Sequence, residues 1–144
     1  MRVYLDNCAY NRPFDEQQNI VIHIETMAKL VVQQMIKDGK LNLIWSDVLD
    51  YENNENPYEE RRVKIAEWET YASVKVEVNE TVISKTKEYV KIGLRSKDAA
   101  HIACAVYGGG DCFITVDKKI LNKPVKDIMI TDPVTFLRRL ENVD

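Results

Sequence analysis

Cysteine is scarce in this sequence, and the few cysteines present are poorly spaced for a structural site. Cys8, Cys104 and Cys112 are the three cysteines among 144 residues, and none of them has the spacing of a metal-ligand pair. An odd number also argues against a framework of disulfide bonds. The sequence therefore predicts three thiols that pack as small buried hydrophobic side chains in a reducing compartment.

Long apolar runs and an excess of basic charge are also missing. The apolar runs are far too short to cross a bilayer, and the N-terminal MRVYLDN lacks the charged and apolar regions of a signal peptide. We therefore expect a cytoplasmic protein with no membrane association. The formal net charge is −3, which excludes a strongly basic coat for nucleic acid. Acids concentrated in a metal site can nevertheless coexist with a locally basic surface.

The remaining composition is that of a soluble globular protein. Hydrophobic residues make up 45% of the sequence and charged residues 30%, and the length is sufficient for a sizeable hydrophobic core. No internal repeat, linker or low-complexity tract divides the chain. We therefore expect one domain over residues 1–144.

Strand and helix patterns alternate along the chain. Short apolar segments predict five strands, at residues 2–6, 41–46, 73–78, 112–116 and 128–132. Helices are predicted over residues 17–38, 47–52, 56–72, 79–92 and 96–107, and after Asp132. The alternation predicts an α/β fold: a single three-layer domain with a mostly parallel five-stranded sheet and helices on both faces.

Three of these elements have distinctive patterns. In the helix over 17–38, apolar residues recur every three or four positions and form one amphipathic face, made of Ile20, Ile24, Met27, Val31 and Met35. The strand at 73–78 alternates apolar and charged residues, which is typical of an edge strand. Ser96 is a good helix N-cap, so we expect it to begin the helix over 96–107.

Four acids lie where strands end or helices begin. Asp6 ends the first strand, Glu52 lies about two turns past the second, Asp98 is in the first turn of its helix, and Asp117 follows the fourth strand. In a parallel sheet all four positions belong to one end of the molecule. Taken alone, each of two acids has a structural explanation: Asp98 interacts favourably with the dipole at a helix N-terminus, and Asp117 is a common residue type in turns. Together, converging carboxylates repel one another, and a hard cation such as Mg²⁺ or Mn²⁺ relieves that repulsion. Such a site polarises a phosphoryl oxygen and activates water.

Four short motifs resemble the PIN domains, a family of metal-dependent ribonucleases. The motifs are YLDN (4–7), SDVLDYE (46–52), KDAAHIACA (97–105) and FITVDKKIL (113–121), and the resemblance covers almost the whole chain. It implies that the family's catalytic and metal-binding acids are Asp6, Glu52, Asp98 and Asp117. It also implies supporting roles for Thr115, Asn7 and Ser46. The family usually has Asp-Thr-Asn at its first motif, whereas here Asn7 directly follows Asp6 and Cys8 comes next.

The resemblance also implies a substrate and partners. It implies hydrolysis of single-stranded RNA with Mg²⁺ or Mn²⁺, by a protein similar to the toxin half of a toxin–antitoxin pair. We expect a small antitoxin to insert an Arg or Lys among the four acids and to contact the 17–38 helix through apolar residues. A homodimer is a further candidate assembly. Four basic residues flank the proposed site as candidate phosphate contacts, although solvated surface charge is the simpler interpretation of each: Arg12, Arg95, Lys118 and Lys119.

Neighbouring polar residues have simpler interpretations. His101 lies three residues after Asp98, and we expect a buried histidine that is hydrogen-bonded to backbone rather than to the site. Asp111 and Asp132 are expected in a turn and at a helix cap.

Two other functions fit the same layout. One is a phosphoryl-transfer or phosphoacceptor domain with Asp6 as nucleophile, although Asp6-Asn7-Cys8 supplies neither a neighbouring acid nor an Asp-x-Asp pair. The other is a catalytically inactive PIN-fold module that only binds a protein partner. The presence of all four acids argues against a loss of the catalytic site.

Overall fold

A computed structural model describes residues 1–141, and the last three residues of the predicted 1–144 domain lie outside the described part. Five strands form one sheet in the order β3-β2-β1-β4-β5, and each neighbouring pair is parallel. The strands are β1 (Arg2–Leu5), β2 (Asn42–Ser46), β3 (Ala72–Val76), β4 (Cys112–Ile114) and β5 (Met129–Thr131). The predicted α/β class is confirmed, and β3 is an edge strand as expected. The chain order reverses between β1 and β4, which makes the carboxyl ends of these strands the expected ligand position.

Helices connect the strands. Those of the described part are α1 (Asn7–Asn11), α2 (Ile20–Lys37), α3 (Asp47–Asn54), α4 (Glu59–Ala66), α5 (Glu80–Lys91), α6 (Ser96–Tyr107), α7 (Lys118–Leu121) and α8 (Pro133–Leu140). Two 3-10 segments, Arg12–Phe14 and Glu67–Tyr71, extend α1 and α4. The helix predicted over 56–72 is therefore two pieces, and it begins at Glu59 rather than at residue 56. Within residues 1–141, no helix has both the length and the apolar character needed to span a membrane.

The core is centred on β1. Val3, Tyr4 and Leu5 are fully buried, as expected of a central parallel strand that is covered on both faces. Tyr4 stacks on Phe113 of β4 with ring centroids 5.3 Å apart. This packing fixes the register between β1 and β4, and it holds the carboxyl ends of both strands side by side.

Helix α2 buries a different face from the one marked by its apolar pattern. Its buried positions are Thr26, Ala28, Lys29, Val32, Gln33 and Ile36. Four of the five residues of the amphipathic face point to solvent instead and are 47–72% exposed. These four residues, which we call the outer α2 stripe, are Ile20, Ile24, Met27 and Val31. Only Met35 of that face packs against the core. An exposed apolar stripe of this kind is typical of an interaction surface.

The helix ends largely match the sequence patterns. Asn79 caps α5 and Asp132 caps α8 through their side-chain oxygens, as predicted for both regions. Gly39 follows α2 with a φ of +76°, a conformation that glycine adopts without strain. The predicted N-cap at Ser96 is wrong. Arg95 occupies the cap position, because its carbonyl already accepts the first helical hydrogen bond, 2.8 Å from the amide of Ala99.

Candidate metal and active site

One cleft lies at the carboxyl ends of β1, β2 and β4, and it contains all four predicted acids. Its volume is about 420 Å³, and Asp6, Glu52, Asp98 and Asp117 all contribute to its lining. They arrive there from four parts of the chain: the end of β1, helix α3, the first turn of α6 and the loop after β4. We call this the acidic cleft.

Asp6 is the most deeply held of these acids. Its side chain caps α1, because Oδ1 accepts a hydrogen bond from the Asn7 amide at 2.8 Å. Oδ2 accepts a second from the Thr115 hydroxyl at 2.8 Å and a third from the Cys8 thiol at 3.3 Å. The same Thr115 oxygen accepts a hydrogen bond from the backbone amide of Asp117 at 3.1 Å. Thr115 therefore links two of the acids directly and fixes the orientation of the Asp6 carboxylate.

Glu52 is held by a buried chain of hydrogen bonds that begins in β2. The Ser46 and Tyr4 hydroxyls lie 2.6 Å apart, Tyr4 lies 2.7 Å from His101 Nδ1, and His101 Nε2 lies 3.2 Å from Glu52 Oε1. A neutral imidazole with its proton on Nε2 satisfies this chain, since Tyr4 then donates to Nδ1 and Nε2 donates to Glu52. The prediction that His101 is hydrogen-bonded to backbone is wrong, because both ring nitrogens have side-chain partners.

The surroundings separate the acid strengths of Glu52 and Asp98. Burial acts to raise the pKa of Glu52, but the hydrogen bond from His101 and the positive charge of Lys97 outweigh it, so its pKa is lowered. Burial raises the pKa of Asp98, and the negative charges of Asp6 and Asp117 raise it further. Asp98 thus experiences the repulsion between neighbouring carboxylates that a bound cation would relieve.

Three side chains lie close enough together to share one ion. Asp6, Glu52 and His101 each offer one ligand atom, and these atoms lie within 4.8 Å of one another. Carboxylate oxygens suit Mg²⁺ and Mn²⁺, and an imidazole nitrogen is acceptable to Mn²⁺. Asp98 and Asp117 line the same cleft outside this close group. The two carboxylates therefore fit a divalent cation, whereas His101 could join them as a ligand only with its ring proton moved from Nε2 to Nδ1.

Solved structures provide a comparison for this arrangement. No protein-family model and no curated protein matches the sequence. A chain of VapBC2 from Rickettsia felis, crystallised with a DNA fragment from their promoter, aligns with a TM-score of 0.56 and 10% identity, over 92% of this chain and 98% of that one. A chain of FitAcB from Neisseria gonorrhoeae aligns with a TM-score of 0.60 and 12% identity, over the same shares. This chain has the fold of both. At such low identity, the shared fold is what the comparison establishes.

None of the four predicted phosphate contacts lines the acidic cleft, which is lined by other basic residues. Arg12 is paired with Asp15 and Glu25, at 3.1 Å from each. Arg95 and Lys119 line an adjoining pocket that shares Asp98, and Lys118 is on the exposed surface. The basic residues that line the acidic cleft are Arg61 and Lys97. Their helices carry mixed charges, so the sequence gives no signal that separates them from a solvated face.

Asn7 and Cys8 complete the lining beside Asp6. The Asn7 side-chain oxygen is buried and has no hydrogen-bond partner within residues 1–141, so it remains available to a ligand in the cleft. Cys8 is only partly buried, and its sulfur lies 3.2 Å from the Thr115 hydroxyl. The expectation that Cys8 packs as a buried hydrophobe is therefore wrong, whereas Cys104 and Cys112 are buried as predicted.

Proposed function

We propose that this chain is a metal-dependent endoribonuclease that hydrolyses phosphodiester bonds in single-stranded RNA. The observation that supports this most directly is the convergence of Asp6, Glu52, Asp98 and Asp117 on one cleft at the switch point of a parallel sheet. The resemblance of the surrounding motifs to PIN domains supplies the reaction class and the substrate. The shared fold with chains of VapBC2 and FitAcB is consistent with that assignment.

In this proposal Mg²⁺ or Mn²⁺ binds to Asp6 and Glu52, with Asp98 and Asp117 completing the negative charge around it. Such an ion polarises a phosphoryl oxygen and lowers the pKa of bound water. The protein supplies orientation. Thr115 and the Asn7 amide fix the Asp6 carboxylate, while the chain of hydrogen bonds through His101 fixes Glu52. Preset ligands of this kind do not have to reorganise when the ion or the substrate binds.

RNA is held, in this proposal, by the side of the acidic cleft that contains basic and aromatic residues. The Arg61 guanidinium lies 4.5 Å from the ring centroid of Tyr58, and both residues line the cleft. Tyr58 is largely exposed and offers a face on which a base can stack. Lys97, 3.7 Å from Glu52 Oε2, is placed to contact a phosphate next to the reacting one.

Phosphoryl transfer through an aspartyl nucleophile is less well supported. Asp6 is only 4% exposed, and both of its oxygens already accept hydrogen bonds from Asn7, Cys8 or Thr115. A nucleophilic carboxylate needs an oxygen that can approach phosphorus, so this environment suits a metal ligand better.

The decisive experiment measures cleavage of end-labelled single-stranded RNA by purified protein in Mn²⁺. We expect Asp98→Asn and Asp117→Asn each to lower the rate about a hundredfold or more, because each removes a charge from the cleft. Asp38→Asn, an exposed acid after α2, is the matched control and should cleave at the wild-type rate. Equal cleavage by all three variants and wild type would show that the activity resides elsewhere.

We further propose that this nuclease is the toxin partner of a small antitoxin. The outer α2 stripe gives the antitoxin an apolar surface, and the acidic cleft accepts an inserted Arg that pairs with two carboxylate oxygens. The inserted group and the metal compete for the same oxygens. A pull-down with the product of the neighbouring gene should therefore recover less complex as Mg²⁺ rises, and less with Asp98→Asn. A complex insensitive to both would contradict insertion at the acids.

A further inference from the structure

A second cleft lies between α2 and the 3-10 segment Glu67–Tyr71, and it shares no lining residue with the acidic cleft. Its volume is about 300 Å³, at the lower end of the range for small-molecule sites, about 300–1,000 Å³. We call it the Lys29 cleft. The residues that matter for its chemistry are Tyr10, Phe14, Lys29, Gln33, Ile65 and Trp68.

Two polar groups of this cleft are buried without a hydrogen-bond partner, and the ammonium group of Lys29 lacks a polar partner as well. Lys29 is 3% exposed, and no other described residue forms a hydrogen bond or ion pair with its ammonium group. The nearest contact described for that group is the ring of Tyr10, whose centroid is 5.6 Å from Nζ. The Tyr10 hydroxyl and the Gln33 amide nitrogen are also buried and lack a partner within residues 1–141. Buried polar groups normally have partners, so two buried unpartnered groups and an unpaired lysine that line one cleft indicate a site for a polar ligand.

The rest of the lining defines what that ligand must be. Phe14, Ile65 and Trp68 supply apolar surface. Lys64 adds a second positive charge, which is paired with Glu60 at 3.3 Å, and the single acid of the lining, Glu67, is exposed. Another ammonium group, that of Lys37, lies 5.2 Å from the centroid of the Trp68 ring. The cleft thus combines an apolar body with an excess of positive charge and hydrogen-bond donors, and it suits a small anion with an apolar side.

We propose that the Lys29 cleft binds a carboxylate attached to an aromatic or branched apolar body. The carboxylate pairs with Lys29 and accepts hydrogen bonds from Gln33 and Tyr10, while the apolar body packs against Phe14, Ile65 and Trp68. The same chemistry is offered by a free organic acid and by the C-terminal residue of a peptide. The two clefts share no lining residue, and binding of an acid at this site does not require the proposed nuclease activity.

The test uses isothermal titration of the full chain with three probes: 3-phenylpropionate, the tripeptide Gly-Gly-Phe and 3-phenylpropionamide. We expect at least one of the two acids to bind and the amide not to bind. Binding of 3-phenylpropionate alone identifies a free acid as the ligand source, and binding of the tripeptide as well identifies a peptide end. Binding should also shift the indole N–H signal of Trp68 in an NMR spectrum of the wild-type protein. The proposal is overturned if neither acid binds, or if the amide binds equally well.

Variants locate the binding within the cleft. Lys29→Met keeps an unbranched side chain that is one atom shorter and removes its charge, and we expect it to weaken acid binding about tenfold or more. Lys64→Met removes an exposed charge of the same lining and should change the affinity less than threefold. Equal loss in the two variants, or none in Lys29→Met, would show that Lys29 does not hold the carboxylate.

The pH dependence provides an independent measurement. Burial lowers the pKa of Lys29 to about 7, so its charged form is depleted above that pH. The other ionisable groups around the cleft are Tyr10, Lys37, Glu67 and Lys64 with its partner Glu60, together with Glu25, which lies one turn from Lys29 and is paired with Arg12. We expect the affinity of wild type to fall by up to about tenfold per pH unit above pH 7, and the affinity of Lys29→Met to stay constant. A constant wild-type affinity between pH 6 and pH 9 would contradict the assignment.

Discussion

The buried Lys29 should make the folding stability of this protein depend strongly on pH. Burial lowers the pKa of Lys29 from 10.5 to about 7, whereas the unfolded chain keeps the ordinary value. Between these two pH values the unfolded chain binds more protons, so stability rises with pH across that window. Below pH 7 both states are protonated and folding must bury the charge. The difference of about 3.5 pKa units corresponds to a cost on the order of 5 kcal/mol.

Replacement of Lys29 by methionine removes that cost. The variant loses the contact between Lys29 and the Tyr10 ring, but such contacts contribute only about 0.5–2 kcal/mol. The gain from no longer burying the Lys29 charge should therefore be larger than this loss. We expect Lys29→Met to be more stable than wild type at pH 6 by on the order of 2–4 kcal/mol. The advantage should shrink by up to about 1.4 kcal/mol for each pH unit above pH 7.

The assay is urea unfolding at pH 6, 7, 8 and 9, followed by circular dichroism, with wild type, Lys29→Met and Lys64→Met. Lys64 lines the same cleft but is exposed, so its replacement should shift stability little and equally at every pH. The reasoning is refuted if the difference between Lys29→Met and wild type is the same from pH 6 to pH 9. That result would mean that the Lys29 amine reaches water in the folded protein.

Three further predictions concern the acidic cleft and α2. Because burial, and then the charges of Asp6 and Asp117, raise the pKa of Asp98, this acid costs stability once it ionises. The Asp98→Asn variant should therefore have a melting temperature a few degrees above that of wild type at pH 7 without metal. This gain should disappear below about pH 4. The variant should also lose the stabilisation that Mn²⁺ gives wild type. Tyr4→Phe removes one hydroxyl from the chain that positions Glu52, and should weaken Mn²⁺ binding by calorimetry and slow RNA cleavage, each about tenfold. Met27→Lys places a charge in the outer α2 stripe and should abolish self-association or partner binding in size-exclusion chromatography with light scattering.

Each of these predictions has a clear contrary result. A lower melting temperature for Asp98→Asn in the absence of metal would mean that Asp98 makes structural hydrogen bonds. Unchanged Mn²⁺ binding in Tyr4→Phe would show that the position of Glu52 does not depend on the Tyr4 hydroxyl. For Met27→Lys the control is Glu80→Lys on the exposed surface of α5, and equal association by both variants would exclude the stripe as an interface.

Local patterns predicted the five strands, the longer helices and the positions of the four acids, because these depend on short-range periodicity and on the ends of elements. The short helices α1 and α7 were not predicted. Three features depended on distant parts of the chain and could not be predicted. The period of α2 identifies an apolar face, but only the neighbours of the helix decide which side is buried. His101 meets Tyr4, which is 97 residues away in sequence, and such a pairing has no local signature. Lys29 looks like any surface lysine until the packing of Tyr10 and Ile65 is known.

The outer α2 stripe also bears on how long such a chain lasts in a cell. Chaperones and proteases recognise apolar surface that is not covered, and they remove proteins that present it persistently. Chaperones and proteases should therefore act on this protein more readily when the outer α2 stripe, made of Ile20, Ile24, Met27 and Val31, is exposed than when a partner covers it. Its abundance would then follow the supply of whatever covers the helix, so that control of the partner's level also sets the level of this protein.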